Sequence, residues 1–589
     1  MEALGQRYGI EDFSVPTLCL RGMPIVGSAL ESPFFDTYDV PASMTLTELL
    51  ATAPVGRQAT IRRVEFMAGK ASHCQAEAIY EKTMREVSQG SMGGPFSHEE
   101  LVERHGNHYN VIPSFGLEQG VNERNEPKFR RIDDHSAGFT NLAAHRKQKI
   151  AMSMVDYLAV MIKGLYHKTR SKLVIGTEDM RGAYRQIPLV DSQTAISITA
   201  IYNPKLGKAQ LYEMYGQPFG AGHSVPNFYR VAEWVSRTIG RGFRMMLDHF
   251  FDDYYYVERP GSSKVGMFCL QQAFKLLGFE LDEDKSQPPS EVTHVLGVAF
   301  NTQALIEERI LRVEPKPLRV RNFVATVDAI LHRNHLPSSV AASLLGKFGF
   351  LCSTLFGKLG RFCTGALRER QYAQGNPDDI TPILQLSLQL MKHVVTVAPH
   401  RCCHLQSRGP PAILYTDASD VPGRDPRYGL GGVLITQSPS FSLEYFSCHA
   451  PPELVSQWLP KENHMTPLET LAAPVALHTW SAKLANTQLI HFIDNNSAAS
   501  NLVKGYSNKS DTTPLIGDYW LTAAEHGIDI YIDRVESKSN LADGPGRFLL
   551  TTLDAWPHKR VQPCFPNPSV SPAFYLTGFG AAPPLVQSQ

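Results

Sequence analysis

Nine consecutive residues constrain this chain most: His249, Phe250, Phe251, Asp252, Asp253, Tyr254, Tyr255, Tyr256 and Val257. Aromatic and β-branched residues in such a run favour two buried strands joined by a tight turn. Asp is at home in turns, so the Asp252-Asp253 pair falls at or near the bend. Two carboxylates in apolar surroundings are costly unless a cation neutralises them. Hard cations prefer oxygen ligands, which points to magnesium. Taken alone, the stretch also fits an exposed Asp-Asp turn in an ordinary hairpin, and the rest of the chain has to decide.

A chain of 589 residues is too long for one domain. With 43% hydrophobic and 19% charged residues it can build real cores. Its net charge is +0, so any nucleic-acid surface must be local. The 9 cysteines include no CxxC pair, which argues against a disulfide framework and a zinc knuckle. His400 to His404 crowds His and Cys too closely for ordinary zinc spacing and reads as a linker. No apolar run is long enough to span a bilayer, and the start lacks a signal-like h-region. The expectation is a soluble intracellular protein, cytoplasmic or nuclear, with no membrane partner.

Residues 1–75 carry no chemical signal. A helix is predicted from about Ala76, ended near Gly90, and a second opens at Ser97 with Glu100 in a capping-box spacing. In Pro127 to Asp134 basic and apolar residues alternate as on a strand with one charged face. Such a face suits phosphates, or is merely solvated. Ser171 to Asp179 reads as a strand ending in an acid, and Ala195 to Tyr202 as another. Gln217-Pro218-Phe219-Gly220 precedes an amphipathic helix through Val235. The hairpin follows, then a helix from Phe268 to Leu277, Leu277-Gly278-Phe279, Lys285-Ser286 and a strand at Val295 to Phe300.

This ordered set resembles a reverse transcriptase: a strand-borne Asp179, the aromatic Tyr184 five residues on, Pro218-Phe219-Gly220, an aromatic-x-Asp-Asp hairpin, Leu-Gly-Phe with Lys-Ser, and Leu296-Gly297-Val298. The resemblance implies that Asp179, Asp252 and Asp253 hold two Mg²⁺ ions, with Mn²⁺ as a substitute, roughly 3.5–4 Å apart. It implies that Lys128, Arg130 and Arg131, with Phe219 and Gly220, bind the incoming dNTP, and that Tyr184 excludes a 2′-hydroxyl. Lys285 matches the residue thought to protonate pyrophosphate; a solvated loop lysine is the alternative reading. Glu178, next to Asp179 on a strand, should face the other way. Two departures are Phe250, where the family usually has Tyr, and Pro226, one residue later than usual.

Residues 306 to about 372 are locally basic. Their Leu344-x-Gly346-Lys347-x-x-Phe350 segment is similar to the helical thumb of DIRS-type and gypsy-type retroelements. From 411 a second pattern runs strand, strand, strand, helix, strand, helices, strand, helix. It resembles RNase H, and the resemblance makes Asp417, Glu469, Asp494 and Asp543 the metal-binding carboxylates of a second two-metal site. Gly546 stands where retroelement sequences usually have Ser, and Gly544-Pro545-Gly546 is expected to loosen the last helix.

The expected fold is α+β and multidomain: a right-hand polymerase followed by an RNase H-like α/β domain with a mixed five-stranded sheet. Residues 1–75 are an unassigned extension, 76–305 fingers and palm, 306–410 helical thumb and connection, 411–556 the RNase H-like domain, and 557–589 a flexible Pro-rich tail. The implied activity is RNA- and DNA-directed DNA synthesis with cleavage of hybrid RNA, in retrotransposon replication. Its partners would be an RNA template, a DNA primer, the RNA-DNA hybrid and dNTPs. The alternative is a catalytically silent nucleic-acid-binding scaffold descended from such an element.

Overall fold

The computed structural model describes residues 1–121, 127–373, 375–406, 408–420, 423, 427–437, 440–456, 458, 464–509, 511–551 and 553–566. The chain is α+β, with several sheets, and divides into two compact units, Met1–Leu296 and Gly297–Gln589.

The first unit is built around an antiparallel sheet in the order Met246–Phe250, Asp253–Glu258, Val174–Asp179, Gln287–Ser290. The middle strands are buried on both faces, with Tyr254 to Val257 and all of Val174 to Asp179 inside. Tyr254 and Tyr256 pack with Phe228, Trp234, Leu270 and Phe274 of the helices Ser224–Phe243 and Pro260–Leu277. Tyr255 points the other way and donates to Asp248 Oδ2 at 2.8 Å. A five-stranded sheet runs Met92–Phe96, Lys208–Met214, Ile198–Asn203, Val111–Val121, Pro127–Asp133. The Ser97 capping box forms as predicted, with Ser97 and Glu100 each bonded to the other's backbone N–H.

Residues 1–75 are integral to this unit rather than an appendage. Ile10, Val15 and Met23 lie in the same core as Trp234. Arg230 grips Asp12 through two nitrogens, at 2.5 and 2.9 Å, and also bonds the carbonyls of Leu30 and Glu31. Thr45 caps the long helix Leu46–Lys70.

The second unit opens with the antiparallel strands Val298–Asn301, Ile310–Pro315 and Arg401–His404. Four helices follow the second strand: Pro317–Arg333, Ser338–Cys352, Gly365–Tyr372 and Pro382–Val397. The expected connection up to residue 410 thus contains a full helix, Pro382–Val397, and a strand, Arg401–His404. The larger sheet has the order Asp529–Arg534, Gln488–Ile493, Ala412–Asp420, Tyr428–Thr436, Ser442–His449, His558–Arg560. Its first three members pair in parallel and the central meander is antiparallel. It has six strands, not five, because His558–Arg560 adds in parallel to Leu443–Tyr445. The expected tail from 557 is therefore a strand at its start, and residues 567–589 lie outside the described residues. Helices Met465–Leu484 and Thr513–Glu525 pack together beside this sheet. Among the described residues, no helix is long and apolar enough to cross a membrane.

Two candidate carboxylate sites

The first site grows from strand register. Asp253 is the direct cross-strand partner of Asp179, so the two carboxylates share one face. Asp252 sits beside them in a two-residue turn, because Phe250 pairs with Asp253 and leaves only Phe251 and Asp252 between the strands. Phe251 takes a left-handed φ of 53°, and the Asp252 carbonyl accepts from Met180 N–H at 2.9 Å. Desolvation and the carboxylates of Asp252 and Asp179 push Asp253 up to about 6. Burial and Asp179 likewise hold Asp252 above the ordinary range. Lys285 lies across this group, with Nζ 2.7 Å from Asp179 Oδ1 and 3.7 Å from Asp282 Oδ2. Glu178 faces away, as strand alternation requires, and accepts from Gln271 Nε2 and Ser286 Oγ.

Aromatic rings border the carboxylates. Tyr184, on a 3₁₀ turn, packs against Phe219 and Phe228 with centroids 4.7 and 4.8 Å apart. Burial and the nearby Asp252 push its phenol up to about 12. Arg130 lies over Phe219 at 5.6 Å. Gly220 has φ 96°, and a Cβ there would run into the Asp133 carbonyl.

Lys128 and Arg130 occupy the exposed face of their strand, but Arg131 does not join them. Side chains alternate along a strand, so Arg131 and Asp133 turn inward together. Arg131 is buried, 2.7 Å from Glu86 and 3.2 Å from Asp133. Arg185 pairs with the same two acids at 3.2 and 3.1 Å. Although burial opposes it, the two guanidiniums hold Asp133 down to about 2. Expecting Arg131 on the phosphate-facing surface is thus corrected: its charge is spent inside the unit. Arg185 went unassigned in the sequence reading, and only the fold brings it to Glu86 and Asp133.

His249, although part of the hairpin run, carries no role legible in the sequence, and neither does Glu233. His249 is fully buried behind the turn, with Nε2 3.0 Å from Glu233 Oε2 and Nδ1 3.2 Å from the Phe251 carbonyl. A signal existed: Tyr229, Glu233 and Arg237 recur every four residues, one stripe of a helix.

The second site gathers Asp417 from a strand, Glu469 from a helix and Asp494 from just past a strand. Each offers a carboxylate oxygen, all within 4.8 Å of one another. Asp417 Oδ2 and Glu469 Oε2 are buried with no hydrogen-bond partner among the described residues. Burial first, then Asp494 and Asp543, pushes Asp417 up to about 8, and Glu469 rises well above its ordinary value for similar reasons. Orphaned buried oxygens on crowded acids suit a divalent cation. Asp543 stands at the rim of the cluster, paired with Arg547 at 2.8 Å.

Asp543 belongs to a single helical turn, Asp543–Gly546, where a longer, loosened helix was expected. The turn is tightly seated: Ser419 Oγ donates to the Gly546 carbonyl at 2.7 Å and Ser447 Oγ to that of Pro545 at 2.6 Å. A Cβ on Gly546 would stand 2.8 Å from Asp417 Oδ2. The glycine fits because the turn lies directly against the acid.

No family model matches this chain, and no curated protein matches it. Similar solved structures are those of a foamy viral protease-reverse transcriptase, each 14% identical. One, designated dRH and in complex with double-stranded DNA, has a TM-score of 0.42 and covers 78% of this chain and 70% of its own. Another, with RNA/DNA hybrid, has a TM-score of 0.41, covering 78% of this chain and 53% of that one. A third, with double-stranded DNA, has a TM-score of 0.40, covering 90% and 92%.

Proposed function

We propose that this chain is a reverse transcriptase with RNase H activity, of the kind that serves retrotransposon replication. The observation that carries this reading is the cross-strand opposition of Asp179 and Asp253 with Asp252 in the adjoining turn. Asp179, Asp252 and Asp253 would hold Mg²⁺, or Mn²⁺ in its place. A metal pair there would activate a primer 3′-hydroxyl and stabilise the leaving oxygens of a dNTP. The chain's own groups do the rest. Lys128 and Arg130 present cationic donors to the triphosphate. The Tyr184 ring, held by Phe219 and Phe228, walls the sugar on its 2′ side. Lys285 Nζ balances Asp179 in the present arrangement and carries a proton that it can give to departing pyrophosphate. In the second unit Asp417, Glu469, Asp494 and Asp543 would hold the ions that cut the RNA strand of the RNA-DNA hybrid.

The test is primer extension on a poly-rA template with an oligo-dT primer, dTTP and Mg²⁺, with labelled template RNA followed in parallel. The native chain should extend the primer and shorten the template. Asp252→Asn should abolish extension and keep cleavage, and Asp494→Asn should do the reverse. If both variants lose both activities while still folded, the two-site reading is wrong. If the native chain binds hybrid but does neither, it is a nucleic-acid-binding scaffold.

A further inference from the structure

We propose, on the polymerase reading above, that His249 is the positioning residue of the metal-binding hairpin. The turn it supports is strained. Phe251 is not glycine yet adopts a left-handed backbone, which persists only where surrounding contacts over-determine it. His249 supplies such contacts from behind. Its Nδ1 lies 3.2 Å from the Phe251 carbonyl oxygen and its Nε2 3.0 Å from the Glu233 carboxylate. The ring thereby bridges the backbone of the turn and the Ser224–Phe243 helix. The ring is clamped between Tyr229 and Tyr254, with centroids at 4.7 and 5.4 Å, and Tyr229 also meets Phe251 edge-on at 5.7 Å. Glu233 is itself fixed by Arg237 Nε at 2.6 Å, one turn further along the same helix. The Ser224–Phe243 helix thus holds the turn through Tyr229, Glu233 and Arg237, and His249 is the link. Its side chain reaches the backbone next to Asp252 rather than any carboxylate of the group. Its role is therefore to fix where Asp252 and Asp253 stand relative to Asp179.

Two measurements test this. In the native background, His249→Ala should lower kcat for primer extension about tenfold or more, as loss of a supporting hydrogen bond around a metal site does, and leave KM for dTTP unchanged. Template cleavage by the same preparation should stay at the native rate and report folding. In a chain carrying Asp417→Asn and Asp494→Asn, which silences the second cluster, Tb³⁺ is titrated and its tyrosine-sensitised emission read. His249→Ala should raise the Tb³⁺ midpoint about tenfold or more. His249→Asn, whose amide still reaches the Phe251 carbonyl, should recover part of both losses, whereas His249→Phe, which keeps only ring packing, should not. If His249→Ala lowers the melting temperature, His249→Phe is the variant read. Native kcat and native Tb³⁺ midpoint in His249→Phe would overturn the proposal. If the native chain makes no DNA, the polymerase reading falls, and the Tb³⁺ comparison alone still decides what His249 does.

Discussion

Gly546 illustrates how a residue that departs from a pattern is explained by its neighbour. A β-carbon at this position would press on Asp417 Oδ2 at 2.8 Å, and the turn has little room to retreat because its carbonyl is held by Ser419. Gly546→Ser, the residue usual in retroelements, should therefore lower template cleavage about tenfold or more while primer extension is unaffected. Native cleavage by this variant would mean that the turn relaxes without moving the acid. His491 gives a second prediction. Its ring bonds Thr416 Oγ1 and the Tyr519 hydroxyl, each at 2.9 Å, and burial holds the imidazole down to about 3 against an ordinary 6.5. Between those values the unfolded chain takes up a proton that the folded chain refuses, so stability is kept above pH 6.5 and lost as pH falls toward 3. Melting followed by circular dichroism should show that decline, and His491→Gln should flatten it. An equally steep decline in the variant would put the acid sensitivity elsewhere. At this scale the sequence announces its carboxylates well, because most of them end a strand or sit in a turn. It is silent on Arg131, whose burial depends on Glu86 and Asp133 being brought to it, and on His249, whose partners are a backbone carbonyl and a distant helix.

Among the elements, the Ser224–Phe243 helix organises the first unit. One of its stripes supports the hairpin, and another position, Arg230, anchors the N-terminal segment through Asp12. Although burial opposes it, Arg230 holds the Asp12 carboxyl below its ordinary range. Removing one partner leaves a buried guanidinium uncompensated. Asp12→Ala should cost about 3–5 kcal/mol of stability, and pairing it with Arg230→Met should restore much of that loss in a denaturant titration. A double variant no better than the single one would mean that the carbonyl contacts of Arg230, rather than its charge partner, matter. Elements with clear punctuation were legible: the Ser97 capping box and the amphipathic helix before the hairpin are both present. The strand predicted at Val295–Phe300 is interrupted instead, because Leu296 and Gly297 take positive φ values of 50° and 85°. The helix Pro382–Val397 was missed despite a signal, since Thr381 caps it and Pro382 occupies its first turn.

For the molecule as a whole, the expected boundary at residue 410 falls inside a single core of the second unit. One continuous core runs from Phe323 and Phe348 through Phe362, Leu388 and Val394 to Leu414, Tyr519 and Trp520. A fragment 411–566 would expose the face that Phe362 and Leu388 cover. Expressed separately, 297–566 should melt cooperatively, and 411–566 should melt far lower or not fold, as calorimetry of the two would show. Equal melting temperatures would restore the boundary at 410. Turn-rich sequence marks where a chain bends, and only packed apolar surface marks where it can be cut. The same packing orders events in time. When Arg230 leaves the ribosome, Asp12, Leu30 and Glu31 have long since been made, so the first unit can close on partners already waiting. The second unit has no such head start, because its sheet is completed only by His558–Arg560, near the end of the described chain. A synthesis that stalls after the first unit leaves every residue of the core around Trp234 already made, whereas one that stalls shortly before residue 558 leaves the Ser442–His449 strand without the His558–Arg560 partner.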